Sequence, residues 1–79
     1  FNRIEKIRYQ NYIDYALRVA SMDGHLDIVK YLINLGANIH TENDFALKWA
    51  SKDGHLDVVK YLINYGANIH TDDEALLFA

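Results

Sequence analysis

The sequence predicts an all-α solenoid, a stack of short helix-turn-helix units, and three observations carry that class. Residues 11–40 laid over 41–70 agree at 21 of 30 positions without a gap. Within each unit the apolar residues recur at helical spacing in two segments separated by a glycine, not in the strict alternation of a half-buried strand. The 79 residues include no proline, and four glycines (Gly24, Gly36, Gly54, Gly66) punctuate them at regular intervals. A fixed period of this length marks an architecture in which each unit buries its apolar face only against its neighbours.

The elements follow in order. Residues 1–10 lack the GANIH segment that should precede a unit and read as a degenerate repeat or an N-terminal cap, with Ile4 and Ile7 covering an open end. The first full unit spans 11–40. Its first helix carries Ala16, Leu17, Ala20 and Ser21 on a narrow face of small residues that permits close packing. Gly24 follows, where a left-handed residue ends a helix. The second helix presents Leu26, Val29, Leu32 and Ile33 and ends at Gly36. The second unit, 41–70, repeats this design with Ala46, Leu47, Ala50 and Ser51, then Gly54, then Leu56, Val59, Leu62 and Ile63. Asp44 or Asn43 is placed to cap its first helix, and Asp57, in the first turn of its second helix, is placed to pair with Lys60. Residues 71–79 read as the start of a further unit. Ala75, Leu76, Phe78 and Ala79 follow Ala46, Leu47, Trp49 and Ala50 if one residue has been lost.

Composition limits function. Without cysteine there is no disulfide framework, zinc-thiolate site or thiol nucleophile. Eleven acidic against eight basic residues give a net charge of −3, the wrong sign for tracking a phosphate backbone, so no nucleic-acid partner is expected. The apolar runs are far shorter than the roughly 20 residues of a membrane helix. No membrane partner is expected, and a cytoplasmic location is (host cytoplasm or virion if viral).

The segments GHLDIVKYLINLGAN at 24–38 and GHLDVVKYLINYGAN at 54–68 resemble the ankyrin repeat: a Gly-His between two helices, a Val-Val-x-Leu-Leu-like second helix and a closing Gly-Ala-Asn. The resemblance covers about 11–79 and extends in wording to the ankyrin-rich proteins of giant DNA viruses of amoebae. It implies a module that binds a protein partner through a concave surface of loops and first helices. Two departures matter. Tyr15-Ala16-Leu17-Arg18 and Phe45-Ala46-Leu47-Lys48 stand where the family opens with Thr-Pro-Leu-His. The unit is also 30 residues long where the family favours 33, and the shortfall lies between Ile39 and Phe45. A tight loop is therefore expected in place of the family's β-hairpin finger.

Catalytic and metal readings are weak. His25, His40, His55 and His70 are 15 residues apart, not one helical turn apart as a metal-binding helix requires. The resemblance gives the Gly-His histidines a bracing role on loop backbone. Ser21 and Ser51 sit on the small packing face, without the oriented base a nucleophile needs. Asp23, Asp27, Asp53 and Asp57 lack the spacing of a calcium loop, and the glycines come singly, not as a phosphate-binding loop. No catalytic residue, cofactor or metal is assigned, and no enzyme activity is expected. Tyr31, Tyr61 and Tyr65 are expected to line the seam between units.

Seven of the nine positions that differ between the two copies fall in the first twelve of the unit: 11/41, 12/42, 13/43, 15/45, 18/48, 19/49 and 22/52. Uniform stacking demands uniform packing faces, so this variable end is where a partner surface is expected. Carried over by position, it comprises Tyr12, Ile13, Met22, Asp23, Glu42, Asn43, Asp44, Trp49, Lys52 and Asp53. The expected function is a scaffold or adaptor that binds a protein partner there. The alternative is a structural or assembly component that self-associates through its open repeat ends.

Overall fold

The computed structural model describes residues 2–66. These form four helices in two antiparallel hairpins: α1 (Arg3–Asp23) with α2 (Leu26–Asn34), and α3 (Thr41–Lys52) with α4 (Leu56–Tyr65). There is no strand among the described residues. The second hairpin stacks on the first through α1 against α3, with α2 beside α4. The all-α solenoid class therefore stands. Residues 71–79, and with them the partial further unit, lie outside the described residues.

A single helix of 21 residues runs from Arg3 through the start of the first unit to Asp23. Residues 3–10 form its opening turns. Asn2 starts it: the side-chain oxygen accepts the Glu5 N–H at 2.8 Å, satisfying one of the four amides a helix start leaves open. Ile4 and Ile7, expected to cover an open end, are 62% and 54% exposed.

Both first helices end in the same six-residue device. The His25 N–H reaches Ala20 O and the Gly24 N–H reaches Ser21 O; thirty residues later His55 bonds Ala50 O and Gly54 bonds Ser51 O. This double closure needs a left-handed residue, and Gly24 supplies it at φ 79°. Glycine there has a second purpose, since the His55 imidazole of the next unit lies directly against it.

The core joins the two hairpins. Leu17, Val29, Ala50, Val58 and Leu62 are wholly buried, with Ala20, Ile33 and Ala46 around them. Leu56 was expected on the packing face but stands 70% exposed. Tyr31 and Tyr65 are also exposed, so they do not line the seam; only Tyr61 packs against the core, with Lys30 over its ring. Asp57 bonds the adjacent Val58 N–H.

The link between the hairpins holds the sharpest difference from expectation. Glu42, Asn43 and Asp44 are consecutive left-handed residues (φ 53°, 62° and 62°) before the right-handed helix proceeds from Phe45. The shortened loop is therefore a tight left-handed turn. Neither Asn43 nor Asp44 has the extended backbone of an ordinary N-cap. The Asp44 carboxylate faces His40 Nδ1 at 2.7 Å instead.

Candidate partner-binding face

Burial of Leu17, Ala20 and Ser21 turns the opposite side of α1 outward, and helical spacing places Tyr12, Tyr15, Val19 and Met22 on that side. Between this side and the start of α3 lies an open groove of about 340 Å³, lined by Tyr15, Arg18, Val19, Met22, Glu42 and Phe45. Its floor is mostly apolar, with one cation and one anion at the edges. Arg18 fixes the geometry. Its Nη1 donates to Thr41 Oγ1 at 2.8 Å, and its guanidinium lies 5.7 Å from the Tyr15 ring centre, tying α1 to the turn that opens α3.

Along α3 the groove continues into a ladder of side chains one turn apart. The Phe45 and Trp49 rings stack with centroids 5.5 Å apart, and Lys52 Nζ sits 4.4 Å above the Trp49 ring. Spacings of i, i+4 and i+7 put all three on one stripe. A cation over the half-buried Trp49 indole contributes about 0.5–1 kcal/mol or more, enough to hold the lysine stem against the ring.

Of the ten expected residues, Met22 and Glu42 line the groove, and Trp49 and Lys52 form the ladder beside it. Tyr12 is exposed, but in mid-helix and not in a loop. Asp23 and Asp53 are exposed where α1 and α3 end; Asn43 is exposed in the turn. Asp44 is half-buried and occupied by His40. Ile13 is a correction: it is 6% exposed and part of the core. The variable end of the unit does not begin with a loop here: α1 continues through Ile13 with its side chain turned inward.

Tyr15, Arg18, Val19 and Phe45 line the groove although they were not singled out. The signal for them was available, since 15/45, 18/48 and 19/49 are among the positions at which the copies differ. Asp14 was also missed. It is 6% exposed and accepts bonds from the Asn38 N–H at 2.7 Å and Gln10 Nε2 at 2.8 Å. Gln10 in turn reaches Gly36 O at 3.0 Å. Together they fasten the loop after α2 to α1 and hold the rear of the face rigid.

The histidines have separate surroundings: His40 against Asp44, His55 against Gly24, and His25 in a second hollow beside Tyr12 and Ile28. His70 lies outside the described residues. Among the described residues, no three His, Cys, Asp or Glu side chains converge as a metal site would require, and no helix is long and apolar enough to cross a membrane. Ser21 is wholly buried on the packing face, as its small size suggested.

Stacked helical hairpins with a Gly-His junction and an outward groove over first helices define a helical-repeat fold. The family model described as ankyrin repeats (3 copies) matches residues 4–73, and the chain belongs to that family. Ankyrin repeats are generally protein–protein interaction modules and not enzymes. No curated protein and no solved structure matches the chain.

Proposed function

We propose that the chain binds a protein partner along the groove between α1 and α3, with Tyr15, Val19, Met22 and Phe45 as the apolar floor and Trp49–Lys52 as its extension. One observation carries the reading: among the positions at which the two copies differ, Tyr15, Arg18, Val19 and Met22 of the first copy line the groove and Phe45, Trp49 and Lys52 of the second form its far side and the ladder, whereas the packing faces repeat almost without change. Both helices are held by the stack, so little ordering is left to oppose binding. A half-buried methionine among aromatic rings suits an apolar side chain of a partner. Arg18 and Glu42 at the edges would fix its orientation.

The test is a photo-crosslinking residue at Tyr15 or Tyr12, compared with one at Tyr31 on the outer side of α2. A protein captured at 15 and 12 but not at 31 should bind with about tenfold or more lower affinity after Met22→Glu, since a carboxylate would enter an apolar contact. Equal affinity for wild type and Met22→Glu would refute the groove assignment. Trp49 is the sole tryptophan, so its fluorescence reports occupancy of the ladder directly.

A further inference from the structure

Arg18 is a half-buried cation on the wall of an apolar groove, and the described residues leave it without an anion. Its Nη1 donates to the Thr41 hydroxyl at 2.8 Å, and its guanidinium lies 5.7 Å from the Tyr15 ring centre. No carboxylate among the described residues pairs with it, not even that of Glu42, which lines the same groove. A guanidinium presents five N–H donors in a planar fork matched to a carboxylate, and one bond to a neutral hydroxyl uses little of it. A charge drawn partly out of water without a counter-ion is costly. At the edge of an open apolar surface, such a cation points to an anion supplied from outside. The repeat supports this. Position 18/48 differs between the copies, yet Arg18 and Lys48 are both cations, whereas 19/49 exchanges valine for tryptophan and 22/52 methionine for lysine.

We propose that the partner segment seated in the groove is acidic: an aspartate or glutamate pairs with Arg18, and a large apolar side chain near it packs on Val19, Met22 and Phe45. This rests on the groove reading and adds to it the chemistry of the occupant. Both walls of the groove, α1 and α3, belong to this chain, so the site needs no neighbouring unit to complete it. Charge complementarity at Arg18 selects a carboxylate, and Glu42 at the other edge repels one, which sets the direction of the segment. Arg18 and Met22 are one helical turn apart, so their side chains leave α1 about 5–6 Å from each other. The acid and the apolar residue must match that distance, which about two positions along an extended segment, or three to four along a helix, supply. The net charge of −3 opposes an acidic segment at long range, but salt confines that repulsion to about 8 Å at physiological ionic strength. Recognition therefore comes from contact at Arg18 and not from steering.

Panning a displayed library of random linear peptides on the wild-type chain tests it, with peptides that also bind Met22→Glu removed so that groove binders alone are scored. Asp or Glu should be enriched within about four positions of a large apolar residue. On Arg18→Gln, its fold checked by far-UV circular dichroism, the same panning should keep the apolar residue and lose the acid. In a synthetic peptide from the selection, changing the acid to its amide should weaken binding to wild type by about tenfold or more and leave binding to Arg18→Gln unchanged. Thr41→Val removes only the hydroxyl that Arg18 holds, so the acid preference should persist in it, as it would not if Arg18 served merely to tie α1 to α3. Arg18→Lys keeps the charge and gives up the fork; it answers in place of Arg18→Gln if that variant does not fold, and the penalty for the amide should shrink in it. Peptides that depend on Met22 but carry no acid, or an acid preference that changes at Arg18 leave intact, would overturn this inference while the groove reading stands. If every retained peptide bound Met22→Glu as well as wild type, both would fall.

Discussion

Asp14 Oδ1 accepts the backbone N–H of Asn38 at 2.7 Å, a bond across 24 residues that joins the middle of α1 to the loop leaving α2. The same oxygen takes Gln10 Nε2, which also holds Gly36 O, so one nearly buried carboxylate organises the whole turn. Hydrogen bonds to a charged group contribute about 1.5–3 kcal/mol each, and a stranded amide costs more than an absent pair. Asp14→Ala should therefore destabilise the chain by about 2–3 kcal/mol in urea melts, and amide exchange at Asn38 should accelerate. Asp14→Asn keeps an acceptor and should cost distinctly less. Equal losses for the two variants would mean that the negative charge, which asparagine lacks, carries the whole contribution and the acceptor geometry none of it.

The repeat places a second pair in the same register. Gln10 and Asp14 correspond to His40 and Asp44, and both pairs are bonded, at 2.8 and 2.7 Å. Yet Asp14 lies inside a right-handed helix and Asp44 closes a left-handed turn. Side-chain pairing at i, i+4 thus survives a reversal of backbone hand.

Gly24 and Gly54 occupy the same left-handed position with nearly the same φ, 79° and 77°. An alanine at either pays about 1–2 kcal/mol for that conformation. At Gly24 its methyl would also collide with the His55 ring, whereas the space at Gly54 is open among the described residues. Crowding of this kind adds about 1–3 kcal/mol. Gly24→Ala should consequently lower the melting temperature well beyond Gly54→Ala, and Gly24→Ala,His55→Ala should recover most of the difference. Indistinguishable melting of the two single variants would show that His55 moves aside freely.

Ser21 is wholly buried and its hydroxyl has no partner among the described residues. Such a group carries a desolvation cost of about 1–3 kcal/mol, and serine is a weaker helix former than alanine by a few tenths of a kcal/mol. Ser21→Ala should raise stability by about 1 kcal/mol, or some 4–8 °C in a domain of this size. Ser51→Ala, at the exposed counterpart, should shift melting far less because water already satisfies that hydroxyl. A loss of stability in Ser21→Ala would mean that the hydroxyl packs more usefully than its missing bond costs.

What could be read from the sequence depended on how local its cause was. Gly24 and Gly54 were legible because a left-handed helix end selects glycine whatever surrounds it. Leu17, Val29 and Leu62 were legible because the helical period fixes their side. The continuation of α1 to Arg3 was missed, although Asn2 and Glu5 carry a helix start; without a preceding repeat to copy, the segment was read by analogy. Ile4 and Ile7 misled because apolar character does not reveal whether a neighbour is present. Ile13 was placed by its counterpart Asn43, but one lies in a helix and the other in a turn, so equivalence of position did not carry equivalence of exposure. The groove itself arises between units, from residues that only stacking brings together.

Glu42 and Asn43 stand in the left-handed turn at φ 53° and 62°. Asparagine tolerates that conformation through its short polar side chain, whereas glutamate bears most of the roughly 1–2 kcal/mol that a left-handed residue costs. Glycine adopts it freely but brings a more flexible unfolded chain, which offsets about 0.5–1 kcal/mol. Glu42→Gly should accordingly be neutral to stabilising by up to about 1 kcal/mol, and Asn43→Gly should be neutral to destabilising. The ordering is the informative result, since both changes loosen the unfolded chain alike and differ only in the strain relieved. If Glu42→Gly destabilised more than Asn43→Gly in urea melts, the glutamate would have to hold the turn through its side chain, and the short loop would owe its shape to that contact and not to its length.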